Sequence, residues 1–282
     1  MINYICFEVS AICNMDCKFC FADWRNNRKQ LSTQKVMEII DKLQEYGIEA
    51  INLTGGDPLL RDDIVEICKY CKAKGIMTII STTGIELKNK RKVLDYIDVI
   101  NMPLDSYNPI IHNEMRPCAE KNHHKLILDL IDDINQHYPN IKIKINTMVG
   151  KTNINDVENI GDLICGKVYR WKLSKFLSSG HGKNFEKMFA ISNEEFESVV
   201  NRCRARYKNS GIIEQEYKIE EDELFNIFVD CYGRINIHTK DKIESFDSFD
   251  ELQNSSKTRN IHDFAKASVQ AIEPKDFLNL CK

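Results

Sequence analysis

Cys13, Cys17 and Cys20, in the run CNMDCKFCF, are spaced C-x3-C-x2-C. Three thiolates on one short loop hold three irons of a 4Fe-4S cube, and no fourth cysteine lies close enough in sequence to close the set. The fourth iron is thereby left open to a ligand that the three cysteines do not supply. Half of a zinc site is the alternative, but zinc would want a fourth Cys or His at familiar spacing, and the next thiols, Cys68 and Cys71, fall in a helical pattern. Phe19 and Phe21 flank Cys20, which suits a cluster shielded from water.

A second candidate is Thr54-Gly55-Gly56-Asp57-Pro58, which closes an apolar run. Paired glycines admit a ligand where a Cβ would block it, and the carboxylate that follows can receive an ammonium group. In isolation this is an ordinary strand-to-helix turn; beside the cysteine loop at one end of a barrel it becomes a place for a cofactor. A third candidate is Ile141-Lys142-Ile143-Lys144-Ile145-Asn146. Strand alternation puts the isoleucines on one face and Lys142, Lys144 and Asn146 on the other. Arg170, Lys172 and Ser174 alternate in the same way with Trp171 and Leu173. Turned inward, such cations call for an anionic ligand, and phosphate oxygens suit both Arg and Lys. On an edge strand the same lysines would be solvated.

Positioning these residues takes strands that alternate with helices. Apolar, β-branched runs predict strands over Ile2–Val9, Ala50–Thr54, Ile76–Ser81, Val99–Leu104, Ile141–Val149 and Val168–Leu177. Helical periodicity falls between them at Ser32–Tyr46, Arg61–Lys74, within Glu86–Tyr96, Lys121–Gln136 and Ile154–Ile164, with Ser32 or Thr33 as an N-cap and Gly47 as a stop. The expected fold is α/β: a partial (β/α)6 TIM-like barrel over residues 1–180, with a C-terminal α/β extension over 181–282 packed on it as part of the same domain. That extension is expected to hold a helix at Asn193–Tyr207, short strands at Ile227–Asp230 and Arg234–His238, and a polar tail from about Asp241.

The chain of 282 residues is long enough to bury a substantial core. A net charge of −3 gives no global field to draw nucleic acid or an acidic membrane, so any substrate-attracting charge must be local. With no membrane-spanning apolar run and no signal-peptide pattern, a cytoplasmic protein is expected. Eleven cysteines spread through such a chain suit a reducing compartment rather than a disulfide framework. Cys68-x-x-Cys71 reads as ordinary packing, and the scattered histidines, His123-His124 included, as solvated or core side chains without ligand spacing.

CNMDCKFCFA, INLTGGDP, LDSYNP, KINTMV and YRWKL, with FAISNEEFESVV and VDCYGRI further on, resemble segments of the viperin family. These are the radical S-adenosylmethionine (SAM) nucleotide dehydratases of antiviral defence, and the similarity runs from about Cys6 to about Lys240. The resemblance implies a [4Fe-4S] cluster on Cys13, Cys17 and Cys20, and SAM contacts from Gly55, Gly56, Asp57, Thr83 and Arg116. It implies a nucleoside triphosphate whose phosphates meet Asn52, Lys144, Asn146, Arg170 and Lys172. The implied lyase reaction removes the ribose C4' hydrogen with a 5'-deoxyadenosyl radical and loses water, giving a 3'-deoxy-3',4'-didehydro nucleotide that terminates RNA chains. A flavodoxin or ferredoxin-type protein would supply the electron; no nucleic acid or membrane partner is implied.

Four positions differ from the family pattern: Ala50 stands for a lysine, Asp57 for a glutamate, Thr83 for an asparagine and Pro103 for a serine. Other readings are a radical SAM peptide maturase, a deazapurine-forming enzyme of the same superfamily, and a non-catalytic cluster-binding or zinc-binding regulator. A maturase would commonly carry extra C-terminal cysteines for further clusters, whereas Cys165, Cys203, Cys231 and Cys281 are isolated in sequence.

Overall fold

The computed structural model describes residues 4–22, 30–208, 210, 213–215, 226–238 and 243–254. Its first half alternates β1 (Tyr4–Ser10), α1 (Thr33–Glu45), β2 (Ala50–Gly55), α2 (Ile64–Ala73), β3 (Met77–Ser81) and β4 (Val99–Pro103). Then come α3 (Pro109–Met115), α4 (His123–His137), β5 (Lys142–Val149), α5 (Ile160–Ile164) and β6 (Arg170–Lys175). Strands β1 to β6 lie side by side in chain order, and every neighbouring pair is parallel. This is the expected partial (β/α)6 barrel, and its carboxyl ends are where such folds carry their chemistry.

The helices form for the reasons the sequence suggests. Ser32 caps α1, its hydroxyl accepting from the Lys35 amide at 3.2 Å, and Val36, Ile39, Ile40 and Leu43 make its buried stripe. In α4 the stripe is Ile127, Ile131 and Ile134, which share one apolar cluster with Ile143 and Ile145 of β5 and Trp171 and Leu173 of β6. One expected helix is not formed: Glu86–Tyr96 holds only a 3-10 turn at Arg91–Asp95. Its stretch Lys88–Lys92 reads KNKRK, and like charges at helical spacing repel while offering no apolar stripe. The expected helix from Arg61 starts late, at Ile64, after a 3-10 turn over Pro58–Leu60.

After the barrel come α6 (Glu186–Phe189), α7 (Asn193–Arg206), β7 (Ile213–Gln215), β8 (Asn226–Val229), β9 (Ile235–His238), β10 (Ile243–Phe246) and α8 (Phe249–Asn254). Ser192 and Glu195 close a capping box on α7. β7 joins β6 in parallel, and β8 pairs in parallel with the other side of β1, continuing antiparallel into β9 and β10. The extension therefore prolongs the sheet at both ends, so β5 and β6 are interior strands. The two short strands expected near residues 227 and 235 are present; β7, β10 and α8 were not expected. Cys281 lies outside the described residues. Among the described residues no helix is long and apolar enough to cross a membrane.

Trp171 joins three strands near the site. Fully buried, its indole donates to Thr147 Oγ1 at 2.8 Å, and Thr147 in turn donates to the Leu104 carbonyl at 2.5 Å. Trp171→Ala removes both the packing and this tie, and is expected to destabilise the fold by about 3–5 kcal/mol, read as a lowered urea midpoint.

Candidate active site

The cysteine loop leaves β1 at Ser10 and lies against the turn that ends β2. Gly56 N–H donates to the Ser10 carbonyl and Asp57 N–H to the Ile12 carbonyl, each at 2.7 Å. A Cβ on Gly55 would stand 2.1 Å from Ser10 O, and one on Gly56 2.1 Å from Ile12 O. Gly55 also sits at φ +121°, a conformation that L side chains rarely adopt. The glycine pair thus makes room for the backbone of the cysteine loop itself, where a bound ligand was expected to need the space. Farther along, Asp16 N–H donates to the Pro117 carbonyl at 2.8 Å and Gly182 N–H to the Cys20 carbonyl at 2.8 Å, so both flanks of the trio are tied down.

Cys17 is buried, Cys20 half-buried and Cys13 exposed. Burial pushes the Cys17 thiol up to about 12, and the opposing pull comes first from Arg116. Arg116 reaches Cys17 Sγ with Nη1 at 3.6 Å and lies over the Phe19 ring, 4.8 Å from its centroid. Its Nε is ion-paired with Asp105 at short range. Burial disfavours the guanidinium charge, but Asp105 more than restores it. Asp105 is fully buried, and each of its polar groups is used. Oδ1 accepts from Met148 N–H at 2.9 Å, the carbonyl accepts from Asn153 Nδ2 at 2.6 Å, and its own N–H faces His112 Nδ1 at 3.0 Å.

Asp57 departs from its expected role. Its carboxylate is fully buried and accepts from Leu59 N–H at 2.9 Å, Thr82 Oγ1 at 2.9 Å, Thr83 N–H at 3.0 Å and Thr83 Oγ1 at 2.5 Å. Donors of the protein occupy the lone pairs that were expected to receive an ammonium group. Burial raises its pKa, against the pull of these hydrogen bonds. Thr83 also touches the cysteine loop: Asn14 lies 3.1 Å from Thr83 Oγ1 through one end of its amide, and the other end is buried with no partner among the described residues.

The cation-bearing strands follow the expected alternation. Along β5, Lys142, Lys144, Asn146 and Met148 are half-buried while Ile143, Ile145, Thr147 and Val149 are buried. On β6, Arg170 and Lys172 are half-buried beside buried Trp171 and Leu173. Register sets Lys144 beside Arg170 and Asn146 beside Lys172. Because both strands are interior, the solvated-edge reading does not apply. Asn52, on β2, stands apart from these four. It is buried, donates to Cys6 Sγ at 3.6 Å and accepts from Ser81 Oγ at 2.8 Å; Ser81 accepts from Asn101 Nδ2 at 2.9 Å. Asn101 neighbours Lys144 in register, so this polar row leads toward the cations. The side-chain amide oxygens, Oδ1, of Asn101 and Asn146 are buried without partners among the described residues.

The residues present fit a [4Fe-4S] cluster and SAM. A trio of thiols with a cation at one sulfur suits cluster ligation, and the orphaned Asn14 amide leaves a polar atom for a ligand beside Thr83. Among the described residues no three His, Cys, Asp or Glu side chains could share one metal ion. Cys68 and Cys71 are core residues, fully buried, with thiols pushed up by burial. Asp105, His112, His123 and Asn14 were missed as site residues, since only tertiary contacts bring them there; the LDS of the strand-four end was the one available signal for Asp105.

Gly56→Ala would press a Cβ into the Ile12 carbonyl and displace the loop between Ser10 and Cys13. Anaerobic reconstitution is expected to give that variant less than about a tenth of wild-type iron per chain, measured by iron assay and the cluster's visible absorbance.

The Radical SAM superfamily model matches residues 7–164. An S-adenosylmethionine-dependent nucleotide dehydratase of Flammeovirga pacifica is 32% identical over 214 residues, which cover 72% of this chain and 72% of that protein. One of Lacinutrix mariniflava is 32% identical over 208 residues, 69% of this chain but 43% of its own length. In structure, Streptococcus suis SuiB bound to precursor peptide SuiA superposes with a TM-score of 0.67 at 14% identity, covering 96% of this chain and 65% of that one. At that identity the likeness establishes the fold alone. With its thiol trio seated on a glycine turn at the carboxyl ends of a parallel partial barrel, the chain belongs to the radical SAM superfamily, as a relative of its S-adenosylmethionine-dependent nucleotide dehydratases, and is a radical SAM enzyme.

Proposed function

We propose that this enzyme converts a nucleoside triphosphate to its 3'-deoxy-3',4'-didehydro analogue. The observation that carries the reading is the pair of register neighbours, Lys144 with Arg170 and Asn146 with Lys172, on one face of two interior strands whose other face is apolar core. Three cations set this close favour a polyanionic ligand, and a triphosphate offers charge-assisted hydrogen bonds to all three. The nucleotide dehydratases named above agree with that chemistry.

When bound, the cluster and SAM supply a 5'-deoxyadenosyl radical, which takes the ribose C4' hydrogen. The 3'-hydroxyl leaves as water and one further electron completes the product, so substrate and product differ by one water. Cys13, Cys17 and Cys20 would hold the cluster, and the loops at Gly55–Asp57, Thr83 and Arg116 would hold SAM. Asp57 acts there by fixing Thr83. Lys144, Asn146, Arg170 and Lys172 would hold the phosphates, with Asn52, joined to Asn101 through Ser81, as a further phosphate contact. A flavodoxin or ferredoxin-type donor in the cytoplasm would supply electrons, and the product would act in antiviral defence by ending RNA synthesis.

The test is 5'-deoxyadenosine release from anaerobically reconstituted enzyme across a panel of nucleoside triphosphates and peptides. One triphosphate is expected to stimulate release and to yield a product lighter by one water in mass spectrometry. Stimulation by peptides alone would move the enzyme to the maturases. In the same enzyme Lys172→Ala is expected to weaken triphosphate binding by about tenfold or more while leaving SAM affinity unchanged; an equal loss of both would displace the phosphates from β6.

A further inference from the structure

His112, on α3, and His123, at the start of α4, are fully buried and lie outside the cysteine, glycine and lysine segments. They form a continuous hydrogen-bonded line. The Asp105 amide meets His112 Nδ1 at 3.0 Å, His112 Nε2 meets His123 Nδ1 at 2.8 Å, and His123 Nε2 meets the Thr83 carbonyl at 2.8 Å. The two ends fix every proton between them. A backbone N–H can only donate, so His112 Nδ1 accepts and its proton sits on Nε2. That proton is given to His123 Nδ1, which places the second ring's proton on Nε2 as well, facing a carbonyl that can only accept. Both rings are therefore neutral and share one tautomer. Their planes are 5° apart and their centroids 5.1 Å.

What the line connects gives it meaning. At one end Asp105 holds Arg116, which touches Cys17 Sγ. At the other Thr83 is bonded to Asp57 and lies beside Asn14 of the cysteine loop. The rest of the surroundings keeps the relay uncharged. Burial pushes both imidazoles down, His123 to about 4, and the neighbouring Arg116 charge works in the same direction. His124, the third ring of the group, packs edge-on against His112.

We propose that His112 and His123 are positioning residues for the cofactor site, a neutral one-way relay that sets the Thr83–Asp57 turn against the Asp105–Arg116 clamp on Cys17. SAM affinity and cluster potential are then coupled through it. A slack relay lets the turn beside SAM drift and loosens the cation that stabilises the electron-rich cluster. The inference rests on the SAM placement proposed above and is independent of the substrate; SAM binding by the wild-type enzyme is the control on that placement.

The test compares His123→Leu with His123→Gln in the reconstituted full chain, measuring iron content, SAM dissociation constant by the electron paramagnetic resonance of the reduced cluster, and midpoint potential. His123→Leu is expected to load iron normally, to weaken SAM binding by about tenfold and to lower the potential. His123→Gln, whose amide offers one acceptor and one donor, is expected to recover most of both. Unchanged SAM affinity and potential in His123→Leu, or a Gln variant no better than Leu, would overturn the proposal. Should His123→Leu fail to fold, nitrogen-15 imidazole spectra of the wild-type protein decide. Two neutral Nε2–H tautomers at pH 6, both responding to added SAM, support the relay; another tautomer at either ring, or silence towards SAM, overturns it.

Discussion

The site depends on one backbone-to-backbone seam. Carbonyls of Ser10 and Ile12 accept from the amides of Gly56 and Asp57 at 2.7 Å, at a separation where any side chain on the glycines would overlap an oxygen. Hydrogen bonds of this kind continue the β1–β2 pairing past the ends of the strands, so a loop that would otherwise be mobile inherits the rigidity of a parallel sheet. Cluster ligation needs this. Three thiolates can meet three irons without distorting the cube only if their spacing is set beforehand, and the loop's remaining ties, to Pro117 and Gly182, fix its flanks rather than its origin.

Two of the departures from the pattern that the resemblance implies meet each other in the structure. A glutamate shortened to Asp57 and an asparagine replaced by Thr83 are bonded to each other at 2.5 Å. With one methylene fewer, the carboxylate stays behind the turn, and a hydroxyl at residue 83 is short enough to meet it there. Asp57 thereby becomes the anchor of the β3 end, holding Thr82 and Thr83 by side chain and backbone. What meets the cysteine loop is Thr83 Oγ1, at the amide oxygen of Asn14, whose Nδ2 is left without a partner among the described residues.

Much of this was legible in the sequence because it is carried by local pattern. The thiol spacing, the strand that precedes it and the isoleucine–lysine alternation of β5 are properties of neighbouring residues, and strand geometry alone converts the last into two faces. The α4 stripe follows in the same way from its isoleucines. The use of the glycines could not be read off, because a missing Cβ does not say whether a ligand or a distant piece of backbone will fill its place. Nor could Asp105. An aspartate after an apolar strand has no local mark that its four polar groups will be met by residues 112, 116, 148 and 153. In the extension β7 and β10 escaped because they are short, and short strands draw their stability from the sheet they join.

Charge is distributed by the same economy of contacts. Beside Cys17 the Arg116 cation is held against a buried anion, so the sulfur gains a donor while the protein buries a neutral pair. A charged imidazole in the relay would break that balance, placing a second cation in the same low-dielectric region with no carboxylate to meet it; only the neutral form, polar yet uncharged, can carry orientation from one turn to the other. Across the sheet the cations come as a group. Lys144, Arg170 and Lys172 come from strands in register, so their spacing is set by the 4.8 Å or so between neighbouring strands and the two-residue repeat along each. In a chain of net charge −3, such a group attracts anions only over a screening length of about 8 Å. On the proposed function, selection would rest on fit to donors whose spacing the sheet fixes rather than on long-range steering.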